Sequence, residues 1–276
     1  LIQKTQKKYG QNVALLIDEY DKPILDNIEN TDIATQNREG LKNLYSVIKD
    51  ADPFLKFVLL TGVSKFSKVS LFSGLNNLND ITLDAKYSAI CGYTDDDIDE
   101  VFEPELAGLD RDKIREWYNG YNWLGTSVYN PFDVLLLLEK REFKPYWFES
   151  ATPTFLIKML QSRHFFTPKL SFLQTNEALI SRFDVENIGT EALLFQTGYL
   201  TIKNREEFTH GKWVYELSYP NQEVQCSLNE ALLPALGVDA ECTLLSGMGI
   251  LKALKTCNFE LLITHLKALY ASIPHD

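Results

Sequence analysis

The sequence contains no phosphate-binding loop of the form G-x-x-x-x-G-K-[ST] anywhere in its 276 residues. Its four cysteines and four histidines are scattered, without a C-x-x-C pair or another spacing typical of zinc sites. No apolar run approaches the ~18 residues that a membrane-spanning helix needs. Acidic residues outnumber basic ones, 38 to 27, and the resulting net charge of −11 disfavours a general affinity for nucleic acid or anionic membranes. These absences together predict a cytoplasmic protein that does not bind membranes.

The composition is that of an ordinary globular protein, with 45% apolar and 24% charged residues. The length suffices for one large core or for two to three modules. The first ten residues resemble the end of a helix, with Lys7 and Lys8 in its last turns and Gly10 as the stop. Because the sequence opens inside a helix and without Met, we expect the chain to be a fragment of a longer protein.

An apolar run that ends abruptly in acids is the most informative segment. Val13–Ile17 is followed directly by Asp18 and Glu19, with Asp21 two residues on. The run predicts a strand over residues 12–18, buried on both faces of a parallel sheet. The acids then emerge at the carboxyl end of the strand, where open α/β sheets bind their ligands. In P-loop NTPases an acid at this position helps to hold Mg²⁺, and a neighbouring acid can position water.

A second strand follows after a helix. Residues 38–50 have the apolar spacing of a helix, residues 27–36 are predicted to form a connection, and Phe54–Leu60 is predicted to be a strand. A strand, helix and strand of this length indicate a right-handed parallel crossover. The second strand also ends in polar residues, Thr61–Lys65. Two polar strand ends on one sheet edge predict a site.

The rest of the chain is predicted to be largely helical, after a small strand at residues 81–83. Thr94 followed by three aspartates is typical of a helix start, because acids favour the positive end of the helix dipole. Later helices are predicted at 110–117, 131–140 and 154–163. A helix at 187–197, a strand at 198–202, a turn at 206–212 and a strand at 213–219 together suit a winged-helix module. Residues 223–276 are predicted to be helical.

Seven short segments together carry a resemblance to a known family: Ala14–Ile24, Thr61–Ser70, Ser73–Leu78, Trp117–Tyr121, Val128–Phe132, Pro145–Phe148 and Leu194–Leu200. In this order they resemble the AAA-ATPase-like family of bacterial proteins, whose members typically end in a PD-(D/E)XK nuclease-like domain. The resemblance implies a STAND-like arrangement of ATPase core, helical lid, winged helix and nuclease-like domain. The phosphate loop is then expected before Leu1, and the nuclease-like domain after Asp276.

The implied fold class is α/β: a partial P-loop NTPase parallel sheet, followed by a helical lid and a winged-helix-like α+β module. The predicted boundaries are 1–90 for the C-terminal part of the ATPase-like core and 91–171 for the lid. The winged-helix-like module is predicted at 172–222. Residues 223–276 are predicted to be a helical segment that leads towards the C-terminal domain.

The candidate site residues come from the two strand ends. Asp18 is the candidate Mg²⁺ ligand, or alternatively a strand-ending acid that caps a neighbouring loop. Glu19 is the candidate general base or water-orienting group, with Asp21 as its competitor. Strand alternation places Asp18 and Glu19 on opposite sides, so the two cannot face a metal in the same way.

The second strand end supplies the candidate nucleotide contacts. Thr61 and Ser64 are candidate sensors of the γ-phosphate, and Lys65 or Lys68 could neutralise phosphate charge or simply be solvated. ATP and Mg²⁺ are thus the expected cofactors, both only together with a phosphate loop. The predicted function is an ATPase-like regulatory region that transfers the γ-phosphoryl group to water in the full-length protein. The alternative is a non-catalytic scaffold with a degenerate core, whose winged helix binds protein or DNA.

Overall fold

The computed structural model describes residues 1–63, 72, 77–150, 154–177, 189–235 and 240–272, and has a mixed α/β fold. Its helices are α1 (Ile2–Tyr9), α2 (Lys22–Leu25), α3 (Thr31–Asp50), α4 (Asp95–Val101), α5 (Arg111–Tyr118), α6 (Pro131–Lys140), α7 (Tyr146–Ser150), α8 (Thr154–Ser162), α9 (Thr190–Gln196), α10 (Gln222–Ala235), α11 (Ala240–Lys255) and α12 (Phe259–Ser272). Its strands are β1 (Val13–Ile17), β2 (Leu55–Leu60), β3 (Asn119–Tyr121), β4 (Val128–Tyr129), β5 (Leu173–Asn176), β6 (Thr201–Thr209) and β7 (Lys212–Ser218).

The N-terminal region is built around a parallel pair of strands. Helix α1 ends at Gly10, whose left-handed backbone (φ 67°) closes the helix as the sequence predicts. Strand β1 pairs with β2 in parallel, in a register that runs from Ala14 opposite Phe57 to Ile17 opposite Leu60. Both strands lie within a residue of their predicted bounds, and their parallel pairing is confirmed, while the right hand of the crossover stays a prediction.

Only one face of this two-stranded sheet is covered by other described residues. Leu16 is 68% exposed and Phe57 is 54% exposed, whereas Val13, Leu15 and Ile17 are half-buried. Successive side chains of a strand point to opposite faces, so Ala14 and Leu16 share the uncovered face. The prediction that β1 is buried on both faces is therefore wrong for the described part of the chain.

Helix α3 begins earlier than the sequence analysis predicts. The Asn30 side chain accepts a hydrogen bond from the backbone N–H of Ile33 (3.2 Å), so most of the predicted connection at 27–36 is the first two turns of the helix. Tyr45 and Ile48 on its inner face are buried. The predicted strand at 81–83 is also wrong, because the backbone turns there, with Asp84 N–H bonded to Ile81 O (3.2 Å).

A second core forms where α4, α5, α6 and α7 pack around one group of buried side chains. These are Ile98, Ile114, Tyr118, Tyr129, Val134, Leu137 and Tyr146. Two of the helices start at side-chain caps that the sequence indicates: Thr94 caps α4, and Asn130 with Pro131 begins α6.

The three-stranded sheet near the C-terminal half is antiparallel, in the order β5-β7-β6. Strands β6 and β7 follow α9 in the predicted helix–strand–strand order, whereas β5 precedes α9 and is not predicted from the sequence. Strand β6 runs to Thr209, so the turn predicted at 206–212 shrinks to His210 and Gly211. The ladder extends because Glu206 and Glu207 pair with Val214 and Trp213.

The chain groups into two compact units. The first comprises residues 1–91, 121–128 and 170–218, and the second comprises residues 92–120, 129–169 and 219–276. The four modules that the sequence predicts are not tested by this grouping and stay a prediction. None of the helices in the described ranges is long and apolar enough to cross a membrane.

Candidate functional site

The carboxyl ends of β1 and β2 are joined by hydrogen bonds through Thr61. Its backbone N–H donates to Ile17 O (2.9 Å), and its carbonyl accepts from Tyr20 N–H (2.9 Å). Its side-chain hydroxyl donates to Oδ1 of Asp18. The structure therefore brings two of the predicted site residues, Asp18 and Thr61, into direct contact at one sheet edge.

Asp18 and Glu19 both lie exposed at this edge. The backbone N–H of Glu19 donates to Asp18 Oδ1 (3.0 Å), and Glu19 itself has a left-handed backbone (φ 49°). Few non-glycine residues adopt such a conformation, and those that do cluster at functional or strained positions. Lys22 Nζ lies 4.0 Å from Glu19 Oε2 and 3.5 Å from Asp26 Oδ1. These exposed ion pairs contribute little to stability.

Asp21 is buried, in contrast to the two acids before it. Its side chain has no exposed surface, and its Oδ1 accepts a hydrogen bond from Val63 N–H (3.3 Å). It also stands at the start of α2. A Cβ added at Gly62 would lie 2.5 Å from Asp21 Oδ1 and 2.7 Å from the Tyr20 ring. Asp21 thus connects the β1 end to the segment after β2, and that close approach requires glycine at position 62.

Two tyrosines and a phenylalanine support this edge from inside. The Tyr45 hydroxyl donates to the Tyr20 carbonyl (3.0 Å), and the ring centroids of the two tyrosines are 6.4 Å apart, edge to face. The Phe72 ring lies 5.1 Å from that of Tyr20. Burial, and secondly the charge of Asp21, raise the pKa of Tyr45. The apolar spacing of residues 38–50 predicts the helix that carries Tyr45, but gives no sign that this side chain reaches the strand end.

The oxygen atoms at this edge supply only part of the ligands that a hard cation such as Mg²⁺ needs. Among the described residues two groups donate to Asp18, and both reach Oδ1, so Oδ2 is the atom that a cation or its bound water would use. Mg²⁺ is usually held by one or two carboxylates, with waters and phosphate oxygens completing its shell. Within the described ranges no group of three or more His, Cys, Asp or Glu side chains could hold a metal by itself. Ser64, Lys65 and Lys68 lie outside the described residues.

A second pair of acids, which the sequence analysis did not single out, is buried in the other unit. Asp133 on α6 and Glu223 on α10 have no exposed surface. Glu223 Oε1 accepts from the backbone N–H groups of Trp147 (2.9 Å) and Phe148 (3.4 Å). The spacing of apolar residues predicts both helices but gives no sign that the two acids meet.

The two buried carboxyl groups of Asp133 and Glu223 can lie together if they share one proton. Both oxygens of Asp133 and Oε2 of Glu223 lack a donor among the described residues, yet a hydrogen bond between the two side chains forms once either is protonated. Burial raises the pKa of Asp133. Burial, followed by the hydrogen bond to Asp133 and its charge, raises the pKa of Glu223 to about 9. The pair therefore holds a proton at neutral pH.

Comparison with known proteins bears on the first unit most directly. Residues 1–72 match the family model described as predicted AAA-ATPase. This match supports the resemblance to the AAA-ATPase-like family over the segment that contains both strand ends. No solved structure matches the chain.

A curated relative extends over the whole chain. It is described as an uncharacterized protein in the vnfD 5' region of Azotobacter chroococcum mcd 1, and it is 55% identical over 276 residues. The alignment covers 100% of this chain and 53% of that protein, so the chain spans about half the length of the relative.

Proposed function

We propose that the chain carries the Walker-B and sensor half of an ATP- and Mg²⁺-binding ATPase site, within a longer, nucleotide-regulated protein. The observation that carries this proposal is the hydrogen bond from the Thr61 hydroxyl to the Asp18 carboxylate. It joins the carboxyl ends of two neighbouring parallel strands, where α/β sheets bind ligands. The family match over residues 1–72 includes both ends and supports the same assignment.

Asp18 is the proposed Mg²⁺ ligand, acting through Oδ2 or through a metal-bound water. Two hydrogen bonds to Oδ1 hold the carboxylate in place, from the Glu19 amide and the Thr61 hydroxyl. Bound Mg²⁺ supplies positive charge to the phosphate oxygens. The alternative role, an acid that caps a neighbouring loop, accounts for the Oδ1 contacts but not for Oδ2, which accepts no hydrogen bond from the part of the chain that the structure describes.

Glu19 is the proposed water-orienting base. Its competitor Asp21 is buried and bonded to Val63 N–H, which ties it to the fold of the strand end. Glu19 is exposed, so an attacking water can reach it. A carboxylate in hydrogen-bond reach of that water can accept its proton.

Thr61 is the proposed sensor, since its hydroxyl stands beside the Asp18 carboxylate at the same edge. Ser64 and Lys65 are proposed to contact the phosphates, because they belong to the same family-like segment as Thr61. The phosphate loop, the STAND-like order of domains and a nuclease-like domain rest on the resemblance of the seven segments. They belong to the longer protein in this proposal.

ATP turnover by the longer protein tests the proposal. We expect Asp18→Ala to abolish Mg²⁺-dependent turnover, and Thr61→Val to lower it more than Thr61→Ser does. Asp26→Ala is the matched control, because Asp26 is an exposed acid at the end of the adjoining helix α2. Turnover that survives Asp18→Ala would defeat the assignment. Calorimetry with MgATP, on this chain and on the longer protein, separates a split site from a core that binds no nucleotide.

A second candidate function is an interaction module without catalysis. The observation that favours it is the β6–β7 hairpin after α9, which suits the wing of a winged helix and leaves Phe208 exposed. Glu206 and Glu207 lie beside Arg205 on the same exposed strand, so a protein partner suits the hairpin better than DNA. Salt-sensitive binding of duplex DNA by this chain would reverse that preference.

A further inference from the structure

The backbone of Glu19 is strained at a point where the chain is held on both sides. Its left-handed φ of 49° is one that non-glycine residues adopt rarely, and keep where the surrounding structure enforces it. On one side, the Glu19 N–H donates to Asp18 Oδ1 (3.0 Å), and the Thr61 hydroxyl donates to the same oxygen. On the other side lies Tyr20. Because the Glu19 side chain is exposed, these two neighbours are what holds the conformation.

Tyr20 is fixed through both its backbone and its ring. Its N–H donates to Thr61 O (2.9 Å), and its carbonyl accepts from the Tyr45 hydroxyl (3.0 Å). Its ring is buried, with the ring centroids of Tyr45 and Phe72 at 6.4 and 5.1 Å. The hydrogen bond to the carbonyl comes from outside the two strand ends, because Tyr45 belongs to α3. This helix therefore contributes to the geometry of the strand end.

The Tyr45 hydroxyl is well suited to hold that carbonyl in place. Tyr45 is 4% exposed, and burial, followed by the charge of Asp21, raises the pKa of Tyr45. The hydroxyl thus stays protonated at neutral pH and remains a donor. A buried carbonyl that loses its donor is unfavourable, so a chain without the hydroxyl would gain by moving Tyr20 out of its present position.

We propose that Tyr45 is a positioning residue, which keeps Glu19 in its left-handed conformation and so aims the Glu19 carboxylate at the attacking water. This inference rests on the role proposed above for Glu19. Tyr45 touches neither nucleotide nor water, since it is buried and reaches the site through Tyr20. Asp18 and Thr61 contact each other without it, so binding of MgATP does not depend on Tyr45. Turnover and binding should therefore respond differently to its loss.

Steady-state turnover by the longer protein, with MgATP affinity from calorimetry, tests this role. We expect Tyr45→Phe, which removes only the hydroxyl, to lower kcat about 10–100-fold, as misplacement by about 1 Å does, with an unchanged Kd for MgATP. Tyr146→Phe is the matched control: Tyr146 is also 4% exposed, and its hydroxyl also donates to a backbone carbonyl, that of Glu142 (2.6 Å), in the other unit. An unchanged kcat in Tyr45→Phe, an equal loss in both variants, or a loss of MgATP binding in Tyr45→Phe overturns the proposal.

Amide hydrogen exchange of the 276-residue chain, followed by NMR, tests the contact without nucleotide. Relative to the amides within β1, the Tyr20 N–H should exchange at least about tenfold faster in Tyr45→Phe than in Tyr146→Phe, because the strand end then opens more often. Equal exchange in the two variants overturns the proposal. If the unsubstituted longer protein neither binds nor hydrolyses ATP while the Tyr20 amide still responds, the proposed function has failed and the hold of Tyr45 on the strand end stands. Circular dichroism confirms that each variant is folded.

Discussion

Gly62 shows how tightly the end of the sheet is packed at the scale of single residues. Replacing it with alanine places a methyl group against Asp21 Oδ1 and the Tyr20 ring. We expect Gly62→Ala to lower the free energy of unfolding by about 1–3 kcal/mol, the usual cost of overpacking. Urea denaturation measures the change.

Gly40→Ala is the matched control for that substitution. Gly40 lies inside α3, with open space around the position of an added Cβ. Alanine is a better helix former than glycine, so this variant should gain about 0.5–1 kcal/mol. If both variants lose stability alike, the close contact at Gly62 is not the cause.

The buried acid pair is expected to make the free energy of unfolding fall as the pH rises. Because Asp133 and Glu223 have raised pKa values in the folded chain, the folded state binds more protons than the unfolded one. Stability is therefore greatest below the ordinary carboxyl pKa and falls as pH rises towards about 9. The slope is about 1.4 kcal/mol per pH unit for each extra proton bound.

Glu223→Gln tests this dependence. An amide can still accept from Trp147 N–H and donate to Asp133, so the variant keeps the hydrogen bonds without a titrating proton. We expect the loss of stability between pH 6 and pH 9 to flatten in urea denaturation. Glu230→Gln, an exposed acid on the same helix, should leave the slope unchanged. Tyr118 also lies near the pair, and burial raises its pKa, so it stays neutral in this range.

For single residues, the sequence predicts a contact only where the pairing of two strands brings the residues together. Asp18 and Thr61 each follow a strand directly, so parallel pairing brings them to one edge. The pairing of Asp133 with Glu223 depends on how α6 and α10 pack, which local pattern does not encode. The burial of Asp21 is missed for a similar reason, because it depends on Gly62 lying close across the sheet end.

At the scale of elements, the start of α4 is a reciprocal cap. Thr94 Oγ1 accepts from Asp97 N–H (3.1 Å), and Asp97 Oδ2 accepts from Thr94 N–H (2.8 Å). These bonds to Thr94 lower the pKa of Asp97. We expect Thr94→Ala to cost about 1 kcal/mol of unfolding free energy and Thr94→Ser to cost much less. Equal losses in thermal or urea unfolding would mean that the hydroxyl is not what stabilises the helix start.

Elements with strong local signals are predictable, and those fixed by pairing are not. Helix α6 has the predicted bounds because Asn130 and Pro131 begin it and an apolar stripe follows. The end of β6 is mostly polar and is exposed on both faces, so only its ladder with β7 shows it to be a strand. The first two turns of α3 were missed because polar residues around the Asn30 cap resemble a connection.

At the scale of the whole molecule, the two units are interleaved along the chain. Ser88 Oγ accepts from Thr126 N–H (3.1 Å), and Asn122 N–H donates to Thr201 Oγ1 (2.7 Å). Three separate stretches of the first unit are thus joined by hydrogen bonds. Composition along the chain suggests boundaries in order of sequence, so it could not indicate such an arrangement.

A shortened chain tests how far the first stretch depends on the others. Residues 1–90 contain β1 and β2 but lack the segments 121–128 and 170–218 that cluster with them. We expect this piece to unfold without a cooperative transition when heated, whereas the 276-residue chain gives one. A sharp melt of residues 1–90 would instead support the first module that the sequence predicts. Circular dichroism makes the comparison.

The interleaving also determines when the first unit can fold during synthesis on the ribosome. The first unit cannot be completed until residue 218 has emerged, long after its residue 91. At the usual ~5–20 residues per second this interval lasts on the order of 6–25 s. Throughout it, residues 1–91 are without the two later stretches that cluster with them, and Leu16 and Phe57, which stay exposed in the finished chain, add to the uncovered surface. The nascent chain therefore offers an apolar surface to chaperones early and for a long time.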